Sequence, residues 1–452
     1  MKKLYHEHPV FDEYAAFDTE TGRLEKIPEP TFRRAPATFR NAETEASIQR
    51  WDGPGVATFS GADGSENSPT HTRFPRRVYF QITRKCNLAC AYCYLKCSRE
   101  LPHVPTPHVL NMARYLGTNG LMEVRLTGGE PTTHPDFLPI VDAFRENNVY
   151  VSVATNGVFE RPVLDALANR RNLWVICSVD GGREIHNRFR PGTFDMIVAN
   201  LRRLKEKNPE IRLRLTTVLC RANRADIPEL GQLAKSLEAE SITFIPLRPQ
   251  VRTSDILEQM LTAREFGEAV KEIADTGDRL GVRVTTTIET SYARKIWADP
   301  VVRKRFACAA GREATNLDYH ARRGTFLLYG CSYSPAPDID APAQIRAPFL
   351  AGEFPADDPT AFFDIWRDDE RWRIFRDASL KPPECNACEY YQSNACVGSC
   401  PIQNVDLNKL DLTADIQAQL REQLLHTSEW YCYKRVLGPE GIFRRTLPSQ
   451  ED

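Results

Sequence analysis

The chain has 452 residues, of which 42% are hydrophobic and 26% charged, enough to bury a sizeable core in two to three domains. Its 59 Lys and Arg balance 60 Asp and Glu, a net charge of -1 spread along the chain, which gives no footprint for a nucleic-acid partner. No apolar run reaches the roughly 18 residues of a membrane span, and Met1-Lys2-Lys3-Leu4-Tyr5-His6-Glu7-His8 meets charge before a signal-peptide core forms, which predicts a cytoplasmic protein with no membrane partner.

Residues 1–76 read as an N-terminal extension of unassigned role. They hold mixed polar sequence, a short hairpin near Thr19-Glu20-Thr21-Gly22, and a loose stretch from Gly53-Pro54-Gly55 to Ser68-Pro69-Thr70 that reads as a linker or long loop. From about residue 77 to 290, short β-rich segments alternate with helical patterns, the rhythm of an α/β parallel sheet. Strands are predicted at Val78–Thr83, Glu123–Thr127, Val149–Ala154, Trp174–Val179, Arg212–Leu219 and Ser241–Pro246. Their apolar character reads as continuous rather than alternating, which suits a sheet covered on one or both faces. A domain is therefore drawn over residues 77–300. Residues 301–452 are rich in Cys, Pro and loops and have too few long apolar segments for an ordinary core, so bound metal is expected to hold them together.

Of 13 cysteines, Cys86, Cys90, Cys93 and Cys97 lie within twelve residues, Cys177 and Cys220 stand alone, and Cys308, Cys331, Cys385, Cys388, Cys396, Cys400 and Cys432 follow residue 300. In a large cytosolic chain such clusters point to metal rather than disulfides. Cys86-x3-Cys90-x2-Cys93, just after the first strand, can wrap three thiolates around one face of a 4Fe-4S cube and leave one iron open. A zinc site with Cys97 as fourth ligand and a ferredoxin-like cluster closed by Cys97 are the alternatives; in the latter the first gap here is three rather than two, and Ser98 stands where Pro is usual. Cys177 and Cys220, in or at the end of strands, read as buried small hydrophobes.

The Cys-x3-Cys-x2-Cys segment, with Tyr92 before its last thiol, resembles the radical S-adenosylmethionine (radical SAM) enzymes. Thr127-Gly128-Gly129-Glu130-Pro131 after the second strand is similar to the family's Gly-Gly-Glu-Pro, whose backbone receives the SAM amino group. Glycines let a backbone approach closely and present bare carbonyls to a cation. Ala154-Thr155-Asn156-Gly157 and Ser178-Val179-Asp180-Gly181 resemble segments bordering the SAM ribose and the substrate, although Asn156 and Asp180 are also turn-capping residues. His186-Asn187-Arg188-Phe189-Arg190 with Gly192-Thr193-Phe194 is similar to His-Asp-x-x-Arg and Gly-Ser-Phe, with Asn187 in place of Asp. Arg190 is there implied to pair with the SAM carboxylate. The resemblance covers about residues 77–250 and implies a partial (β/α)6 barrel with its chemistry at the C-terminal strand ends. The implied reaction is reductive cleavage of SAM to a 5'-deoxyadenosyl radical that abstracts a substrate hydrogen. The SAM contacts it implies are Gly128, Gly129, Glu130, Asn156, Ser178, Asp180 and Arg190; no catalytic acid or base is assigned.

The C-terminal thiols resemble the SPASM extension of that family, which carries two auxiliary 4Fe-4S clusters, three clusters in all. The resemblance gives Cys308, Cys331 and Cys400 to auxiliary cluster I and Cys385, Cys388, Cys396 and Cys432 to auxiliary cluster II. Departures are a seven-residue gap between Cys388 and Cys396 where five is usual, no Gly five residues before Cys331 (Gly324 and Gly330 are nearest), and Ser332 where some relatives have an oxidation-assisting Asp. With three protein ligands the resemblance leaves room for an open iron at cluster I, with substrate or a side chain such as Tyr333 as the candidates to fill it. The family implies hydrogen abstraction from a ribosomally made peptide or partner protein, presented through a leader or by a separate protein, with a thioether, a carbon-carbon crosslink or another oxidative modification as outcome. A flavodoxin or ferredoxin is the implied reductant. Residues 1–76 do not clearly carry the winged-helix leader-binding pattern found in such enzymes. The alternatives are oxidation or rearrangement of a small molecule, a sugar alcohol or tetrapyrrole, and a non-catalytic zinc or electron-transfer protein. Arg248 and Tyr333 are further candidate substrate contacts.

Overall fold

The computed structural model describes residues 2–8, 13–18, 23–27, 38–40, 47–51, 56–58, 69–72, 74–95, 97–170, 173–247, 256, 258–286, 308–335, 349–377, 379–392, 396, 400–405, 409–411, 413–426, 431–432 and 436. Arg248 and the turn residues 19–22 lie outside them.

The N-terminal extension contains more regular structure than its polar sequence suggests. Strands β1 (Lys2–His8), β2 (Glu13–Asp18), β3 (Arg23–Ile27), β4 (Thr38–Arg40) and β5 (Ser47–Trp51) form one sheet, ordered β3-β2-β1-β5-β4. Its β2–β3 pair, ending at Asp18 opposite Arg23, flanks the predicted hairpin turn. The stretch read as a linker contributes β6 (Val56–Thr58) and β7 (Pro69–Thr72), an antiparallel pair. Ladder bonds use the main chain, so polar side chains do not forbid them.

Seven parallel strands follow: β8 (Arg77–Thr83), β9 (Glu123–Gly128), β10 (Tyr150–Thr155), β11 (Leu173–Ser178), β12 (Arg212–Leu219), β13 (Ser241–Pro246) and β14 (Val284–Thr286). Each pairs with its sequence neighbour, which builds the open, barrel-like sheet. The six predicted strands are all present, each bound within one residue. Helices α1 (Thr106–Thr118), α2 (Phe137–Glu146), α3 (Arg161–Ala168), α4 (Arg183–Phe189), α5 (Phe194–Lys207), α6 (Ile227–Ser236) and α7 (Ala263–Leu280) lie between the strands. Helix α7 shows why the chain turns where it does. Thr262 and Glu265 close a capping box at its start, and Gly281, at φ 66°, ends it in the left-handed region.

Burial runs almost continuously along β10 and β11 and alternates along β12. Val78, Phe80, Val124, Leu126, Val151, Val153, Leu213 and Leu215 are buried in the core shared with the helices, as is Cys177, while β12 alternates buried with half-buried positions throughout. The opposite face is polar and aromatic: Arg125 donates to Ser152 (3.1 Å) and lies over Tyr79, and Arg214 stacks on Trp174 at 4.1 Å. One face holds the helices, and the other is left for chemistry.

The same sheet continues past residue 300. Strand β15 (Ala314–His320) pairs parallel with β8, and β16 (Thr325–Tyr329) and β17 (Leu350–Pro355) follow antiparallel, giving ten strands. The expectation of little core here fails for residues 314–376. Phe326, Leu327, Leu328, Trp366 on helix α8 (Ala361–Arg367), Trp372 and Phe375 are buried and join the barrel core. Fully buried Arg376 stacks on Trp366 and Trp372 and donates to Gly311 O (2.8 Å), Trp366 O (2.9 Å) and Asp369 (2.8 Å).

Candidate active site

The loop leaving β8 carries Cys86, Cys90 and Cys93 and is latched by main chain to the glycines ending β9. Gly129 N donates to Thr83 O and Glu130 N to Lys85 O, each at 2.9 Å. A Cβ on Gly128 would stand 1.9 Å from Thr83 O, and one on Gly129 2.1 Å from Lys85 O. The close approach expected of these glycines is therefore made, in this chain, to the thiol loop itself. The loop is pinned further by Cys86 N to Ser98 O (3.0 Å), Cys93 N to Cys90 O (3.2 Å) and Ala91 N to Phe189 O (3.2 Å).

Glu130 is fully buried and its carboxylate is taken up by the chain. It accepts from Thr132 N (3.2 Å), Thr132 Oγ1 (2.7 Å), Thr155 Oγ1 (2.8 Å) and Asn156 N (2.7 Å). Burial still raises its pKa against these bonds. Asn156 does cap its turn, its Oδ1 accepting from Val158 N (2.9 Å), but its Nδ2 also donates to Asn87 Oδ1 in the thiol loop (2.7 Å). Ser178 ends β11, half-buried, paired with Thr216 of β12.

Asp180 is fully buried and serves as more than a turn residue. Its Oδ1 accepts from Val218 N (2.8 Å), and its Oδ2 accepts from Arg190 Nε (2.5 Å) and from the Tyr92 hydroxyl. Arg190 also lies 5.4 Å from the Tyr92 ring centroid. Of its guanidinium nitrogens only Nε is hydrogen-bonded among the described residues, so the Nη groups remain for an anion. His186 and Asn187 of the same motif are braces. His186 Nδ1 accepts from Asp180 N (3.2 Å), its Nε2 meets Thr193 Oγ1 (3.1 Å), and Asn187 Oδ1 accepts from Phe194 N (3.0 Å). Burial drops the His186 pKa to about 4, keeping it neutral.

The thiols fit an iron-sulfur group. Cys86, Cys90 and Cys93 are electrostatic neighbours, and burial pushes Cys86 up to about 12 and raises Cys90, so thiolates here call for a metal's positive charge. Cys97 hydrogen-bonds Cys93, and that bond with burial raises its pKa. The later thiols also gather. Cys385 neighbours Cys388 and Cys432, while the buried Lys381 neighbours Cys308, Cys396 and Cys400. Burial drops Lys381 to about 8. Tyr94 lies between the two regions: Cys93 and Cys97 on one side and Cys331 on the other act on it, and its ring centroid is 5.4 Å from that of Tyr333. Among the described residues no group of three or more His, Cys, Asp or Glu converges on a single-ion site.

Residues 80–234 match the radical SAM superfamily. The chain therefore carries a radical SAM domain over these residues. Its fold is shared by SuiB of Streptococcus suis bound to S-adenosylmethionine (TM-score 0.58, 15% identity, 74% of both chains) and bound to precursor peptide SuiA (TM-score 0.58, 16% identity, 74% and 73%). In sequence it is 27% identical over 331 residues to mycofactocin maturase MftC of Mycobacterium tuberculosis, covering 72% of this chain and 78% of that protein. It is also 23% identical over 338 residues to an AdoMet-dependent heme synthase of Methanosarcina barkeri, covering 72% and 91%. No helix among the described residues of this chain is long and apolar enough to cross a membrane.

Sequence reasoning missed Arg84. Two residues before Cys86, it forms a buried ion pair with Asp318 of β15, tying the thiol loop to the C-terminal part of the chain. A lone Arg and Asp more than 230 residues apart leave no local pattern to read.

Proposed function

We propose that this enzyme modifies a peptide or partner protein, with Cys86, Cys90 and Cys93 holding the cluster that reduces SAM and the seven later thiols holding two auxiliary clusters: Cys308, Cys331 and Cys400 one, and Cys385, Cys388, Cys396 and Cys432 the other. The observation that carries the SAM chemistry is the latch between the thiol loop and Gly128-Gly129-Glu130. When bound, the first cluster supplies the electron that cleaves the SAM sulfonium bond, delivered by a flavodoxin or ferredoxin. The chain's own residues position the reactants. Gly128 and Gly129 set a side-chain-free wall beside the thiols, Glu130 and Asn156 fix the ends of β9 and β10 against the loop, and Ser178 and Asp180 stand at the end of β11. Arg190, held by Asp180, keeps its Nη groups for the SAM carboxylate.

The peptide class is supported by similarity to a maturase over most of this chain. The heme-synthase relative supports a second reading, a tetrapyrrole or other small-molecule substrate, over an equal share of the chain. One anaerobic experiment addresses both. Wild type and the Cys86→Ala, Cys90→Ala, Cys93→Ala triple variant are reconstituted, iron and sulfide are counted, and 5'-deoxyadenosine is assayed with SAM and a strong reductant. About twelve irons in wild type, about eight in the variant, and 5'-deoxyadenosine from wild type alone are expected. Peptides encoded beside the gene should then raise 5'-deoxyadenosine and gain a mass change; stimulation by a tetrapyrrole alone supports the second reading, and a zinc-loaded protein that leaves SAM intact defeats both.

A further inference from the structure

We propose that the polar face of the sheet carries a second ligand site, toward the strand ends opposite the thiol loop: an oxyanion site, formed by Arg214 with the indole N–H of Trp174 and flanked by Arg125, for a phosphate or carboxylate that enters from solvent.

Trp174 and Arg212 face each other across β11 and β12, and Arg214 follows two residues on. Three guanidinium groups surround the Trp174 ring: Arg214 lies 4.1 Å from its centroid, Arg212 4.5 Å and Arg125 5.8 Å. Two of the three have carboxylates. Arg212 donates twice to Glu240 (2.7 and 2.9 Å), and Arg125 shares Glu123 with Arg77 (2.9 and 2.7 Å). Arg214 has none among the described residues. Its Nε donates to Ser241 Oγ (3.1 Å), and no acceptor among those residues meets its Nη groups. The Nε1–H of Trp174 is buried and has no acceptor either.

Both gaps call for the same thing. A buried donor left unpaired is costly, and so is a desolvated cation without a counter-charge. Arg77, Arg125, Arg212 and Arg214 meet only Glu123 and Glu240 here, an excess of positive charge. Burial, then Arg125 and Arg77, lower the Arg214 pKa to about 10, whereas Arg77 and Arg212, against the same burial, are raised by their carboxylates. Resting on an indole engages the face of a guanidinium and leaves its N–H edge to bond, and that edge matches the paired oxygens of a carboxylate or phosphate. The route in is the strand-end rim, where Arg77, Arg212 and Glu240 are partly exposed. An anion held there ties β11 to β12 at the end of the barrel remote from the thiols.

The test is equilibrium binding of labelled inorganic phosphate to the reconstituted holoenzyme, with acetate and chloride as competitors. It compares wild type with Arg214→Gln and with Trp174→Phe, which keeps an aromatic ring and removes the N–H. Saturable binding is expected in wild type, at least about tenfold weaker in Arg214→Gln and about threefold weaker in Trp174→Phe. Displacement by acetate assigns carboxylates to the site as well; phosphate retained against acetate restricts it to phosphate. No saturable binding in wild type overturns the proposal. So does equal displacement by chloride, which reports screening of surface charge, or undiminished binding by folded Arg214→Gln, which puts the anion elsewhere. Should Arg214→Gln fail to fold, Arg214→Lys keeps the charge without the fork; weaker binding supports the site and unchanged binding overturns it.

Discussion

The loop bearing Cys86, Cys90 and Cys93 leaves a seven-residue strand and is bonded along its length to β9, to β10 through Asn87, and to α4 through Phe189. Cys385 and Cys400, by contrast, belong to or cap the one-turn helices Pro383–Asn386 and Pro401–Asn404, with Cys388 just before a third, Glu389–Gln392. Four-residue helices do not hold themselves together in water, because nucleation costs more than one turn returns. Burial does not compensate in Pro383–Asn386, where no described residue is buried, although Ile402 of Pro401–Asn404 joins the core. The first site is therefore made by the fold, and on the proposed ligand reading the one-turn helices Pro383–Asn386 and Glu389–Gln392 around the second depend on what the thiols bind. The difference teaches that equal cysteine density can mean an inserted cofactor in one region and a structural one in the other.

The sharpest way to break this contrast is to remove the metal. Chelation of the holoenzyme under reducing conditions should leave the sheet folded through β17 and the helices to Arg376, while the one-turn helices Pro383–Asn386 and Glu389–Gln392 lose their structure. Limited proteolysis should then cut beyond Asp377 at least about tenfold faster than in the holoenzyme, the open population rising as the ligation energy is lost. Unchanged cleavage there, or loss of the barrel as well, breaks the contrast. The next effect runs in the other direction. Asp318→Asn leaves Arg84 buried without its counter-charge, which typically costs about 3–5 kcal/mol. Chemical denaturation should register that loss, and iron at the first site should become the more labile, because Arg84 opens the thiol loop. Auxiliary iron leaving first would show that the loop is held by its own main-chain bonds alone.

How much of this was legible depends on where the physics writes itself. The β/α rhythm, the thiol spacing and the glycines were readable because helix packing, cluster ligation and close backbone approach each demand particular residue types locally. Strand β15 was not. Its sequence, Ala-Thr-Asn-Leu-Asp-Tyr-His, buries Thr315, Asn316 and Asp318, whose partners lie elsewhere: Gln81 Nε2 donates to Asn316 Oδ1 (3.3 Å), Arg84 pairs with Asp318, and Thr315 Oγ1 donates to Tyr329 O (2.7 Å). A strand stabilised by long-range polar pairs has no apolar period to detect. The same holds for Asp180. As part of Asp-Gly it reads as a turn, and its three-way contact with Tyr92, Arg190 and Val218 N exists only once β11, β12 and the thiol loop are assembled. Gly330, next to Cys331, is required for a different reason: a Cβ there would stand 2.1 Å from the Phe375 ring.

The smallest expected effect separates the regions by acid. At the far mouth of the barrel Glu123 is buried; burial alone would raise its pKa, but Arg77 (2.7 Å from Nε), Arg125 (2.9 Å from Nη2) and Ser152 (2.6 Å) bring it from 4.5 down to about 2. A depressed carboxyl stabilises the fold fully above its unfolded pKa near 4.5 and loses that contribution as pH falls through its folded value near 2. A shift of this size corresponds to about 3 kcal/mol. On the proposed ligand reading the C-terminal region responds to acid by another route, since thiol ligands must be deprotonated to hold metal and protons compete for them at milder pH. On lowering the pH of the holoenzyme, iron release and loss of C-terminal structure should therefore come first, with the barrel's circular dichroism intact until the pH drops below about 4.5. Glu123→Gln should bring the barrel's acid transition to higher pH and narrow the interval between the two events while leaving the pH of auxiliary iron release where it was. A single shared transition, or a barrel limb that Glu123→Gln does not move, means the two regions stand on one source of stability after all.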